Sequence, residues 1–297
     1  MTADAAPALQ RSSGAARVSF KCRAAATCLD ELYQQGCSKV RFPRNHGGNP
    51  EAVLLNTAGG LADGDTLNTE IHWQGNARAT VTTQAAERVY RAAGEGSARV
   101  TTRLRVEAQA VACWLPQETI VFNGARLARS LEIDVAPDAC LLALESTVFG
   151  RRAMGETVSR GRISDRWRLS IGGRLAFADH FLLDDALTGP IDASLAQGPV
   201  ANGAHCVATL VVVAPDCDRI VAAARETRAE SSSERSSVPS HESSAEARAR
   251  VGATVLDGLA VVRVVAADGA AMRAVLARLV ALAGESSGIT LPRVWHC

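Results

Sequence analysis

Two carboxylates, Asp63 and Asp65, sit in a glycine-dense turn that reads Leu-Leu-Asn-Thr-Ala-Gly-Gly-Leu-Ala-Asp-Gly-Asp over residues 54–65. Gly59, Gly60 and Gly64 mark backbone that needs a positive φ or a close approach to another chain or a ligand. Acids in such a turn either accept hydrogen bonds from their own backbone or present oxygens to a cation. Asp63-Gly64-Asp65 opens like a calcium loop, but Leu67 and Asn68 stand where an oxygen ligand and a glycine belong. The glycines miss the Gly-x-Gly-x-x-Gly register and lead into β patterning, so a dinucleotide fold gains little from them. Gly284-Glu285-Ser286-Ser287-Gly288 matches the nucleophile-elbow pentapeptide. An elbow lies between a strand and a following helix, whereas this one trails a helix pattern near the chain end. No Ser/His/Asp or Cys/His constellation stands out, and six histidines leave little for ordinary hydrolase chemistry.

Eight cysteines (Cys22, Cys28, Cys37, Cys113, Cys140, Cys206, Cys217 and Cys297) lie far apart with no Cys-x-x-Cys pair. A structural zinc site therefore lacks local support, and free thiols, several buried as small hydrophobes, are expected. Cys297 beside His296 makes half a metal site at what reads as a frayed terminus.

The elements that must position any such residues read as strands. Leu67, Thr69, Ile71 and Trp73 alternate with Asn68, Glu70, His72 and Gln74, and Gly75-Asn76 follows as a turn. His72 falls on the polar face, where a solvated imidazole is expected. Residues 78–84 are rich in β-branched side chains. Val100, Thr102, Leu104 and Val106 alternate with polar residues, Arg103 and Arg105 among them, as on the solvent face of a half-buried strand. Leu127, Arg129, Leu131, Ile133 and Val135 form one more alternating set, and Ile163, Asp165, Trp167, Leu169 and Ile171 another. Gly172-Gly173 then predicts a hairpin turn.

Such spacing predicts a mainly β, mostly antiparallel single domain, sandwich-like or β-helical-like, with about two α-helices in the C-terminal third. Asp216 and Asp268 are the expected helix caps, and Met272, Val275, Leu276, Leu279 and Leu282 form a core-facing stripe ending at Gly284. Residues 204–214 read as a central strand. Strands at 251–256 and 259–266 meet at Asp257-Gly258. A disordered start over residues 1–17 and a disordered serine-rich insertion at 229–247 complete the organisation, with the domain spanning 18–297.

Composition narrows the classes. Of 297 residues, 47% are hydrophobic, and 32 basic residues nearly cancel 31 acidic ones. That balance argues against a nucleic-acid or membrane-surface partner held by bulk charge. With no long apolar run and no apolar leader, a cytoplasmic address is expected.

Several blocks carry more than packing explains: residues 83–91 (Thr-Gln-Ala-Ala-Glu-Arg-Val-Tyr-Arg), 114–125 (Trp-Leu-Pro-Gln-Glu-Thr-Ile-Val-Phe-Asn-Gly-Ala), 149–156 (Phe-Gly-Arg-Arg-Ala-Met-Gly-Glu) and the Leu-Pro-Arg-Val-Trp end. With Gly59-Gly60-Leu61-x-x-Gly64-Asp65 they resemble, in order and over about residues 50–295, the urease accessory protein D family. Asp63 stands where that family commonly has another glycine, and the serine-rich insertion is foreign to the pattern.

The resemblance implies a non-enzymatic maturation factor, chaperone-like, with a predominantly β fold and a helix pair. Its implied partners are the urease apoprotein, a helical accessory protein (F) and a GTPase (G), with a homodimer inside the complex as one arrangement. No cofactor is held tightly; nickel is in transit. The resemblance makes Asp63, Asp65, Glu118, Glu145 and Glu156 the candidate lining of a nickel passage. Scattered carboxylates suit such a cargo, since thiolate or multi-histidine sites hold Ni²⁺ too tightly to release it. Salt bridges to Arg151 or Arg152 are the competing role for Glu118 and Glu156. Two other readings remain open: an enzyme binding a nucleotide or sugar at the glycine turn, and a stand-alone nickel-binding protein.

Overall fold

The chain winds as a coil between two facing sheets. A computed structural model describes residues 10–44, 48–233, 248–287 and 291–296. In the first sheet, strands β1 (Ser13–Arg23), β5 (Thr66–Trp73), β8 (Ala98–Val106), β11 (Ala125–Val135) and β13 (Gly161–Ile171) lie side by side. In the second, β4 (Glu51–Asn56), β6 (Arg78–Thr83), β9 (Val111–Leu115) and β12 (Cys140–Phe149) do the same. Every one of these neighbouring pairs is parallel.

The fold is mainly β with few helices, as the sequence indicates, but the mostly antiparallel pairing is corrected. Antiparallel pairs flank the coil. They join β2 (Ala26–Gly36) to β1, β3 (Ser38–Arg41) to β4, and β14 (Arg174–Asp184) to β13. Beyond β12 lie β15 (Cys206–Val213), β17 (Leu259–Ala266) and β16 (Ala249–Leu256), also antiparallel. Period-two patterning shows which face of a strand is buried and says nothing about its neighbour's direction. Because the chain crosses to the other sheet after each strand, the neighbour arrives one coil later, running the same way.

Two hairpins form where expected. Gly172 and Gly173 have φ of 58° and 80°, and Asp257 and Gly258 have 46° and 82°. Two successive left-handed residues match the right-handed twist of the flanking strands.

The second sheet is buried on both sides, which explains runs such as Val111–Leu115 in which every residue is buried. Its inner face meets the first sheet through Trp73, Leu104, Leu131, Trp114 and Leu141. Two short helices, α1 (Asp185–Thr188) and α2 (Ile191–Ala196), follow β14; the sequence reading missed both, one turn or so being too short for a 3.6-residue period to show. Two long ones, α3 (Cys217–Ser233) and α4 (Gly269–Ser287), cover the second sheet's outer face with Ile220, Val221, Met272, Val275, Leu276 and Leu279. The first sheet's outer face is open to solvent, where Arg17 meets Glu70 and Arg103 meets Glu132, both at 3.0 Å. Exposed pairs of this kind stabilise weakly and fit the expected solvent face.

Three boundaries move. Helix α4 runs on through Gly284, its expected stop, to Ser287. β1 begins at Ser13, inside the stretch expected to be ragged, because Ser13–Phe20 finds a parallel ladder on Thr66–Trp73. Helix α3 runs to Ser233, taking in the first residues of the serine-rich insertion. The remainder, 234–247, lies outside the described residues, as does Cys297. Among the described residues no helix is long and apolar enough to cross a membrane.

Candidate functional site

Alternation along β11 turns Leu127, Arg129, Leu131 and Ile133 inward, so a guanidinium enters the space between the sheets. Arg129 is 6% exposed. Its Nη1 donates to Glu145 Oε2 at 2.7 Å and to Thr119 Oγ1 at 3.0 Å. Its Nη2 donates to Asp165 Oδ2 at 2.5 Å and to Thr147 Oγ1 at 3.2 Å. Glu145 on β12 also accepts from Trp114 Nε1 at 2.9 Å. Asp165 on β13 keeps Oδ1 buried and without a partner among the described residues, as does Arg129 at Nε.

One positive charge thus faces two carboxylates. Burial pushes the Glu145 carboxyl up, Asp165's charge adds to that, and Arg129 works against it. Burial alone would lower Arg129, but Asp165 and Glu145 hold it protonated. The set is one positive charge short, a deficit that a proton or a metal cation would fill.

Arg129 and Glu145 form the partition between two cavities. One, of about 260 Å³, reaches from them along Thr102, Leu127 and Trp114 to Asn56 and Glu87 near the glycine turn. The other, of about 10 Å³, holds Asp165, Asp179, Thr209 and Arg263 on the far side. Arg263 Nη2 donates to Asp179 Oδ2 at 2.6 Å and Nη1 to Thr209 Oγ1 at 2.9 Å. The interior therefore carries a run of oxygens from Glu87 to Asp179 where an ordinary sheet-on-sheet core is apolar.

Glu87 is partly buried and accepts from Asn56 Nδ2 at 3.1 and 3.3 Å. Burial raises its pKa from 4.5 to about 6, with the Asn56 hydrogen bonds opposing. The folded chain then binds a proton more readily than the unfolded one, so stability falls as pH rises from 4.5 to about 6 and levels off above. Glu87→Gln is expected to remove that slope and to stabilise the protein at pH 7 by about 1–2 kcal/mol. Urea unfolding midpoints of both proteins at pH 5 and pH 7 check this; an unchanged slope would count against it.

Of the five acids the sequence nominated, Glu145 lies in this interior. Asp65 closes the glycine turn, Oδ1 accepting from Ser12 N and Oδ2 from Ala62 N, both at 2.7 Å. Asp63 accepts from Ala93 N at 2.9 Å and from Arg11 Nη2 at 3.0 Å. Glu156 pairs with Arg151 at 2.9 Å, and Glu118 lies 3.8 Å from Arg273. Among the described residues no three His, Cys, Asp or Glu side chains come together as a metal cluster. Cys113, Cys206 and Cys217 are buried, and burial pushes the first two thiols up.

The sequence reading passed over Glu87, Arg129, Asp165, Asp179 and Arg263. A signal existed for two of them: Arg129 and Asp165 each occupy an inward position of an otherwise apolar alternating set. The nominated motif blocks do meet. Strand β7 (Glu87–Val89) pairs with β10 (Thr119–Val121), β10 pairs with the end of β12, and Leu61 bridges to Val89. Tyr90 stacks edge-on against Phe122 at 5.2 Å, and the Arg151 guanidinium lies over Phe122 at 4.1 Å. The chain end docks there too, Trp295 Nε1 donating to Leu115 O at 3.1 Å and Gln117 Nε2 to Val294 O at 3.3 Å.

This fold and interior define a parallel β-coil protein backed by two long helices, with a charged, cavity-bearing centre and no assembled metal cluster among the described residues. The chain matches the family described as UreD urease accessory protein over residues 12–296. It is 42% identical over 297 residues to the urease accessory protein UreD of Sinorhizobium medicae (strain WSM419), covering 99% of both chains. It is 40% identical to that of Chelativorans sp. (strain BNC1), over 98% of this chain and 97% of the relative. With the urease accessory protein UreD 1 of Brucella abortus biovar 1 (strain 9-941) it shares 39% identity over 97% of this chain and 95% of the relative. The chain belongs to the UreD urease accessory protein family.

Proposed function

We propose that this chain is a non-catalytic, cytoplasmic scaffold that binds the urease apoprotein together with the F and G accessory proteins. In this reading it passes Ni²⁺ through the space between its two sheets. The observation that carries the reading is the run of buried and partly buried carboxylates through Glu87, Glu145, Asp165 and Asp179, which outnumber the arginines beside them. A hard oxygen environment holds a divalent cation weakly enough to release it. The unpartnered Oδ1 of Asp165 supplies a free oxygen beside Arg129. Arg129 sits in the partition and gives the passage a gate: a cation on Glu145 competes with it for the same carboxylate. The four other acids nominated from the sequence hold the turns and surfaces around that route in place.

The test separates transport from assembly. Glu145→Gln keeps an acceptor for Trp114 and removes the charge. Complexes built with it are expected to recover urease on an affinity-tagged copy while containing less nickel per urease active site than wild-type complexes matched for protein. Asp65→Ala, which strips two backbone hydrogen bonds from the glycine turn, is expected to lower the yield of complex and not its nickel per site. Equal nickel in Glu145→Gln and wild-type complexes would remove Glu145 from the route, and failure of any complex to recover urease would remove the scaffold reading.

A further inference from the structure

Away from the interior, three arginines gather round a cleft of about 480 Å³ at one end of the first sheet: Arg91, Arg126 and Arg160. None is ion-paired among the described residues, whereas the next arginine in register, Arg162 beside Arg126, is taken by Asp184. Arg126 Nε is buried and has no hydrogen-bond partner there. A buried guanidinium donor without an acceptor, next to two more free guanidiniums, is a large local cost unless an anion supplies the oxygens.

The cleft is built to hold these groups in place. Asn123 Oδ1 accepts from Ser159 N at 3.1 Å and from Arg160 N at 2.9 Å, clipping the segment before β13 to the turn before β11. The aliphatic stem of Arg91 lies across Gly124, where a Cβ would stand 3.0 Å from its Cγ. Gly124 has a φ of 81°, so both its backbone and its missing side chain favour glycine. One carboxylate, Asp185, shares the wall, and its Oδ1 is already engaged by Gly161 N at 3.1 Å. Arg91, Asn123 and Gly124 belong to the motif blocks but take no part in the proposed nickel route.

We infer that this cleft is an oxyanion site that takes a phosphoryl group carried on a small molecule. Guanidinium forks pair bidentately with phosphate oxygens, and three of them match the charge of a phosphate ester or diphosphate. The volume exceeds what one inorganic ion fills, leaving room for the group that bears it. The site stands independently of the nickel route: its residues face the outer side and end of the first sheet, and none of them lines either interior cavity.

The probe is sodium pyrophosphate titrated into the full-length purified chain, read by calorimetry and by the thermal unfolding midpoint. Sodium chloride at matched ionic strength and sodium acetate run alongside. Saturable binding of pyrophosphate, with chloride and acetate flat, is the expected result. Arg126→Gln and Arg160→Gln are each expected to weaken it about tenfold or more, the loss of one charged hydrogen-bonded contact. Arg168→Gln, on the exposed outer face of β13, is expected to bind as wild type does. Arg160 is exposed, so its variant tests the site without disturbing the fold. A midpoint that follows ionic strength alone, equal binding of acetate, or undiminished binding by Arg160→Gln would each overturn the assignment. So would an isolated chain blind to pyrophosphate, as expected of a cleft reserved for a partner's acidic side chains.

Discussion

Replacing Arg129 by Met is expected to destabilise the fold by about 3–5 kcal/mol, the cost of leaving buried carboxylates without their counter-charge. Met roughly preserves the volume, so the loss reports charge and hydrogen bonds more than a cavity. Two carboxylates, Glu145 and Asp165, and two hydroxyls, Thr119 and Thr147, lose their shared donor together. The penalty should depend on pH with a definite sign. Burial already pushes the Glu145 carboxyl up and Arg129 is the main group opposing it, so without Arg129 the folded state binds an extra proton there. Stability then falls as pH rises above the unfolded carboxyl value and stops falling once the folded value is passed. Adding Glu145→Gln and Asp165→Asn to Arg129→Met should recover a substantial part of the loss, because the charges that needed Arg129 are gone. Urea unfolding of wild type, Arg129→Met and the triple variant at pH 5.5 and pH 8 measures both effects. A loss under about 1 kcal/mol for Arg129→Met would mean that the interior is wetter and more permissive than its burial implies.

Gly60→Ala is expected to cost about 2–6 kcal/mol, from backbone strain and overpacking together. Gly60 has a φ of 146°, and a Cβ built there would stand 2.4 Å from Tyr90 Cε2 and 2.9 Å from Arg88 O. The neighbouring backbone is fixed by Leu61 N donating to Arg88 O at 2.7 Å and Tyr90 N to Leu61 O at 2.8 Å, so β7 cannot give way without losing that bridge. Gly59→Ala is the matched control. Gly59 also has a positive φ, 77°, but nothing lies within 4 Å of its Cβ position. It should cost about 1–2 kcal/mol, the left-handed penalty alone. Unfolding midpoints of the two variants check the difference, and equal losses would show that the close approach to Tyr90 is not what demands glycine at 60. Displacement of β7 also moves Glu87, so Gly60→Ala should lower nickel per site as well as stability if the proposed route is right.

The sequence by itself determined many of the strands, β5, β6, β8, β11, β13 and β15 to β17 among them, the buried face of those that alternate, the two glycine hairpins and the sheet-facing stripe of α4, while β2, β9, β10 and β12 carried no such mark. Those properties are local: they follow from period-two or 3.6-residue patterning, from glycine at positive φ, and from acids placed to cap. It also determined the family, through motif blocks whose residues pack on one another in the fold, Tyr90 on Phe122 and Trp295 on Leu115. Only the tertiary structure decided that neighbouring strands run parallel, because pairing with a strand one coil away leaves no mark on either strand's own alternation. Only the tertiary structure, again, decided which acids matter to the interior. Asp63, Asp65 and Glu156 look like ligands in a linear motif, yet each is within reach of nearby amides or an arginine that satisfies it. Asp165 and Asp179 lie in ordinary alternating strands, and burial between two sheets is what brings them to Arg129 and Arg263. A carboxylate's chemistry is set by its solvation and by the charges within a few ångströms, and those neighbours are chosen by the crossing of distant strands.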